Sequence, residues 1–213
     1  MNTHILTWLL AVPALAALIV LLLPRTWEGT IRRFSIAAML VELVLSLRLL
    51  LADYSTAAYN FVEHVVWVES FGISYKLGVD GLSLWLVILT TALSPVALYA
   101  SWGSIATRIK EYAFSFLLLE LGMLGAFLAL DLFLFYVFWE LMLLPMYFLI
   151  GIWGGPRRAY AAIKFFLYTL AGSVLLLAAV IMVRLETETF SIPDITAMVA
   201  AGQAIVPDLS LIH

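Results

Sequence analysis

The stretch Ala113 to Trp153, AFSFLLLELGMLGAFLALDLFLFYVFWELMLLPMYFLIGIW, decides the fold. It is apolar for 41 residues, and as one α-helix it would be about 61 Å long, twice the roughly 30 Å hydrocarbon core of a bilayer. It therefore has to be two membrane spans. The break falls near Leu130-Asp131, giving spans of about 113–130 and 132–153.

The same length yardstick divides the rest of the chain. Ile5 to Leu23 is a first span, about Arg33 to Leu51 a second, about Leu82 to Ser101 a third, and about Ala159 to Val183 the last of six. A polar stretch, 52–81, separates the second and third spans and is expected to be an extramembrane loop. Its end, Gly78-Val79-Asp80-Gly81, offers a helix-capping aspartate and turn-permitting glycines. Residues 184–213, with Pro193 and Pro207, hold no full-length span and are expected to be a polar loop and a truncated C-terminus. The fold class is thus an all-α polytopic transmembrane bundle: two N-terminal helices in 1–51, the loop, then four helices in 82–183.

Composition agrees. Of 213 residues, 65% are hydrophobic and 12% charged, with mean hydropathy +1.10, against about 25% charge in ordinary soluble domains. A net charge of -3 without a basic patch argues against a nucleic-acid partner, and the lipid bilayer is the first partner implied. The absence of cysteine excludes disulfides and thiolate-held metal or iron-sulfur centres on this chain. The first apolar run has no Lys or Arg before it and is too long for a signal-peptide core, so it is expected to be a retained span.

Lys and Arg are retained on the cytoplasmic side of short loops. Arg25, Arg32 and Arg33 precede the second span, Arg108 and Lys110 the fourth, and Arg157 and Arg158 the sixth, so all three connections lie on one side. Trp27, Trp102 and Trp153 accompany them as interfacial anchors. The N-terminus is expected on the opposite, periplasmic side of an inner (plasma) membrane.

Acids inside these runs are the candidate functional residues. Glu140 lies nine residues beyond Asp131, roughly 13 Å into the fifth span. A carboxylate at that depth costs a few kcal/mol, about 3, on the mildest scales, so it has to face protein or a hydrated cavity, paired or holding its proton. Such a carboxyl can relay protons; the alternative is a neutral acid that only pins a neighbouring helix. Pro145, which leaves the Leu141 carbonyl without its helical donor, suits a locally distorted helix there. Lys164, roughly 8 Å inside the sixth span, is either a modulator of the Glu140 pKa or a snorkelled anchor. Glu120, roughly 10 Å into the fourth span by its rise per residue, could extend the relay. Glu42 and Arg48 of the second span read as part of a second polar patch or, preferably, as an interhelical pair. His64 is expected to be solvated. Gly122-Met123-Leu124-Gly125 and Ala171-Gly172-Ser173 supply small residues for close helix packing. No metal-ligand cluster, phosphate loop or nucleophile-base pair is present in the sequence, so neither a metal site nor a cofactor-binding site is expected.

Two segments carry a resemblance: Gly72-Ile73-Ser74-Tyr75-Lys76-Leu77-Gly78-Val79-Asp80-Gly81-Leu82-Ser83 and Phe135-Tyr136-Val137-Phe138-Trp139-Glu140-Leu141-Met142-Leu143-Leu144-Pro145-Met146-Tyr147, continued by Gly154 to Arg158 and Lys164 to Thr169. In them the chain resembles the N-terminal portion of the antiporter-like subunit M (chain 4) family of proton-pumping NADH:quinone oxidoreductase, respiratory complex I. The resemblance implies a membrane-arm subunit that translocates protons as part of a translocase, alongside other membrane-arm subunits including sister antiporter-like ones. NADH, flavin, iron-sulfur clusters and quinone would be handled by other subunits, with no cofactor on this chain. Glu140 falls on the family's essential acid of the fifth span, and Glu120 and Lys164 fall on charged positions of its pattern. The family fold has about fourteen helices in two inverted five-helix repeats, with a central lysine in a seventh span. This sequence is therefore expected to be an N-terminal fragment or split product, without a complete proton path of its own. The alternatives are a subunit of a multisubunit cation/proton antiporter and a noncatalytic membrane scaffold.

Overall fold

Six apolar runs become six membrane-length spans in the computed structural model, which describes residues 4–52, 54 and 58–202. They are α1 (Ile5–Leu22), α2 (Glu28–Leu47), α3 (Gly81–Ala100), α4 (Ile109–Leu128), the pair α5 (Leu132–Leu141) and α6 (Leu143–Trp153), and α7 (Arg158–Thr187). A short helix, α8 (Ile192–Ala200), follows, with Pro193 in its first turn; part of the expected C-terminal loop is therefore helical. Residues 203–213, with Pro207, lie outside the described residues.

The helical bundle is the one hydropathy foretold, and the long run does break between Leu128 and Leu132. Three span ends differ, one of them the start of α4, which lies at Ile109 and not near Ala113. α2 begins at Glu28, because Glu28 suits the positive end of the helix and Arg32 stays at the interface by donating to the carbonyls of Trp102 and Ile105. α7 runs on to Thr187, whose hydroxyl caps the Val183 carbonyl at 2.8 Å.

Within the expected loop, β1 (Asn60–Val68) and β2 (Ile73–Val79) form an antiparallel hairpin, turned through Gly72 at φ +69°. It is bolted to the helices through their exposed backbone ends. Glu63 of β1 is the N-terminal cap of α1, accepting from the N–H groups of Leu6 (2.8 Å) and Thr7 (3.1 Å) and from the Thr7 hydroxyl. Tyr75 of β2 reaches the same Thr7 hydroxyl at 3.1 Å, and its burial pushes the phenol above its ordinary value of 10.0. The Lys76 carbonyl accepts from Leu130 N–H at 2.8 Å, and the Lys76 ammonium donates to Ser191 at 2.7 Å. Asp131 caps α5 through the N–H groups of Phe133 and Leu134, and its other oxygen holds Ser74. Asp80 and Ser83 close a reciprocal capping box on α3. The sequence Gly72 to Ser83 is thus the strap that ties the starts of α3 and α5 and the α7–α8 turn into one end of the bundle.

The basic connections meet at the other end. Lys110 donates to the Leu23 carbonyl at 2.8 Å, Arg25 pairs with Glu111 at 2.9 Å, and Trp153 donates to Thr107 at 2.9 Å. α1 fills the middle: Leu6 and Leu9 bury against Leu124 and Leu128 of α4 near the hairpin, and Ala16, Ala17 and Val20 against Ile31, Met39 and Leu117 near the basic end.

Candidate functional site

The fifth span is two helices in line. α5 stops at Leu141, the Met142 N–H reaches back only to Trp139 at 3.3 Å, and α6 resumes with Met146 N–H to Met142 at 3.2 Å. Pro145 has no N–H to offer Leu141, which is why the ladder fails here and not elsewhere in the fifth span. Close approach of α4 fixes the break in place. A Cβ at Gly122 would overlap Met142, and one at Gly125 would overlap the Phe138 ring, so only glycine lets α4 lie against this part of α5.

Glu140 occupies the last turn before the break. It is half-buried, and its Oε1 is wholly enclosed without a hydrogen-bond donor among the described residues. Tyr136 stands one turn earlier on the same face, its phenol in reach of both the Glu140 carboxyl and the buried Ser173 hydroxyl of α7. Carboxyl, phenol and hydroxyl in succession are three exchangeable-proton groups running from α5 to α7. The four-residue spacing of Tyr136 and Glu140 is the sequence signal for the phenol, whereas Ser173 is brought near only by the packing of α7.

The other sequence candidates are placed apart from this acid. Lys164 is exposed on α7, its ammonium over the rings of Tyr160 (5.9 Å) and Tyr168 (5.8 Å), and among the described residues no ion pair or hydrogen bond joins it to Glu140. Glu120 is fully buried and turned the other way, toward α2 and α3: Gly122 and Gly125, which face α5, lie about 200° and 140° around α4 from it. There its carboxyl meets that of Glu42, also fully buried, beside Ser94 of α3. Arg48 is exposed, and no ion pair joins it to Glu42 among the described residues, so the preferred pairing gives way to the second polar patch. The helical spacing of Ser35, Glu42 and Ser46 on α2, matched by Thr91 and Ser94 on α3, is the signal that marks this seam in the sequence; Ser46 and Thr91 bond across it at 2.8 Å. His64 is exposed, as expected. Gly172 faces open space, and only Ser173 of that triplet packs.

Residues 5–131 match the family described as NADH-ubiquinone oxidoreductase chain 4, amino terminus. The chain belongs to that family. Residues 129–211 match a second family, NADH:quinone oxidoreductase/Mrp antiporter, transmembrane. The NADH-quinone oxidoreductase subunit M of Rhodobacter capsulatus is 48% identical over 160 residues, which is 74% of this chain and 30% of that protein. Respiratory complex I from Thermus thermophilus contains a chain that superposes with TM-score 0.76 at 26% identity, over 90% of this chain and 39% of that one. The Mrp complex from Dietzia sp. DQ12-45-1b gives TM-score 0.75 at 26% identity, over 89% of this chain and 20% of that one. The chain spans roughly a third of the length of the curated relatives it matches, 38% and 30% of the first two. It is a multi-pass membrane protein of a family whose solved relatives sit in multisubunit membrane assemblies.

Proposed function

We propose that this chain forms the N-terminal part of a proton-translocating membrane-arm subunit of NADH:quinone oxidoreductase, with Glu140 as its proton-relay acid. The observation that carries this is the setting of Glu140: a half-buried carboxyl at a helix break, one oxygen enclosed and unpaired, with a phenol and a hydroxyl leading away from it. An acid held there gains and loses a proton at small cost in structure, because Pro145 already leaves the Leu141 carbonyl of the same turn without its helical donor. Family membership supports the rest: NADH oxidation and quinone reduction, with flavin and iron-sulfur clusters, belong to other subunits, so the enzyme is the assembled translocase and this chain contributes no redox step. Other membrane-arm subunits, sister antiporter-like chains among them, are its partners. The basic end faces the cytoplasm of the inner (plasma) membrane and the hairpin end, with the N-terminus, the periplasm.

In this proposal Lys164 modulates Glu140 from a distance, its charge reaching the acid when the rings of Tyr160 and Tyr168 release it. Glu120, facing away, is a second proton-holding acid and not the next station after Glu140. The test is Glu140→Gln in the assembled complex, followed by NADH-driven acidification of reconstituted vesicles. Loss of pumping with assembly intact is expected; full pumping would overturn the relay and leave the scaffold reading.

The likeness to the Dietzia Mrp complex favours one second reading, a subunit of a cation/proton antiporter. Vesicles without NADH separate the two, since the translocase reading expects no Na+-driven proton exchange through this chain.

A further inference from the structure

We propose that Glu42 and Glu120 hold one proton between them, an acid–carboxylate pair that fastens α2 to α4 and is a proton-binding site separate from Glu140. The proposal rests on geometry that does not involve Glu140. Both side chains are 0% exposed, their carboxyls face one another, and none of the four oxygens has a hydrogen-bond donor among the described residues. A carboxylate can only accept. Two of them in contact repel, whereas one shared proton turns the same contact into a charge-assisted hydrogen bond, the arrangement of paired acids in enclosed sites.

Among the described residues, no cation faces the pair instead. α1 and α3, which pack against both helices, carry no charged side chain. On α4 itself Lys110 is engaged by the Leu23 carbonyl and Glu111 by Arg25, both at the basic end. On α2, Arg32 is engaged by Trp102 and Ile105, Glu28 and Arg33 lie in the first turns, and Arg48 is exposed beyond its far end. Tyr136 and Glu140 belong to α5, and Tyr147 of α6 stacks on Phe148 and Phe166, so all three lie across α4 from the pair. Ser94 contributes a hydroxyl beside Glu120, and the Ser46–Thr91 bond continues the polar seam one turn along α2. The stoichiometry is closed: one proton, two carboxyl groups, a single net negative charge.

The experiment is an infrared difference spectrum of the reconstituted complex near neutral pH, wild type minus Glu42→Gln/Glu120→Gln. The expected difference is the C=O stretch of one protonated carboxyl together with the bands of one carboxylate, unchanged by added Na+ and unchanged when the comparison is repeated in a Glu140→Gln background. Two carboxylates and no protonated carboxyl, carboxylate bands that move with Na+, or two protonated carboxyls would each overturn the shared proton. Should the double variant fail to assemble, single variants decide. Glu42→Gln and Glu120→Gln keep a donor facing an acceptor and are expected to assemble, whereas Glu42→Ala and Glu120→Ala leave one buried carboxyl alone and are expected to lose assembly. Equal loss in the Gln and Ala variants overturns the proposal. Persistence of pumping in Glu140→Gln would defeat the relay assigned to that residue and leave this result untouched.

Discussion

Glu120 and Glu140 are the same residue twenty positions apart on successive spans, and the bundle treats them oppositely. Glu120 is sealed among α2, α3 and α4 and meets another acid. Glu140 stands at a broken helix, half-covered, with α7 on its open side. A carboxyl sealed in a closed, continuous helical seam is held, whereas the carboxyl at the helix break is the one proposed to exchange its proton. Depth in the bilayer, the quantity hydropathy measures, is similar for both and does not separate them.

The largest expected effect follows directly. Glu140→Gln should abolish NADH-driven proton pumping in the assembled complex while Glu120→Gln, which keeps a hydrogen bond to Glu42, retains a measurable part of it; vesicle acidification rates on matched amounts of complex give the comparison. Equal loss in both would erase the distinction between held and exchanging acids. Next in size, Gly125→Val drives a branched side chain into the Phe138 ring and is expected to cost about 1–3 kcal/mol of helix packing. Because Phe138 and Glu140 share α5, the variant should lower both the thermal midpoint of the solubilised complex and its pumping.

How much of this was legible in the sequence depends on which force sets each feature. The six spans and the break at Asp131 were, because bilayer thickness imposes them residue by residue. The shared side of the basic connections was legible too, and the cross-links of Arg25, Lys110 and Trp153 place those connections together. The hairpin was not. β1 and β2 are joined through Glu69 to Phe71 and Gly72 without a tight two-residue turn signature, and much of what orders them is remote: helix ends at Leu6, Leu130 and Asp131 that need partners. Nor was the partner of Glu42. Arg48 is nearer in sequence, but it is exposed beyond α2, and only the crossing of α2 and α4 brings Glu120 to Glu42.

Smaller effects probe the hairpin end. Glu63→Ala uncaps α1 and is expected to cost about 0.5–2 kcal/mol, read as faster hydrogen exchange at the Leu6 and Thr7 amides with pumping retained. The smallest is a pH effect at Tyr75. Burial raises its folded-state value above 10.0, so the neutral phenol stabilises the docked hairpin fully below that pH, and the contribution is lost as pH climbs through the folded value. Tyr75→Phe should remove that alkaline component from the melting profile.

The claim that Glu140 exchanges its proton during turnover has one direct measurement: time-resolved infrared difference spectroscopy of the reconstituted complex on addition of NADH, with Glu140→Gln identifying the bands. A protonated-carboxyl band that appears and disappears within the catalytic cycle, and is missing from the variant, is the predicted result. A Glu140 carboxylate signal that stays constant throughout turnover would contradict it.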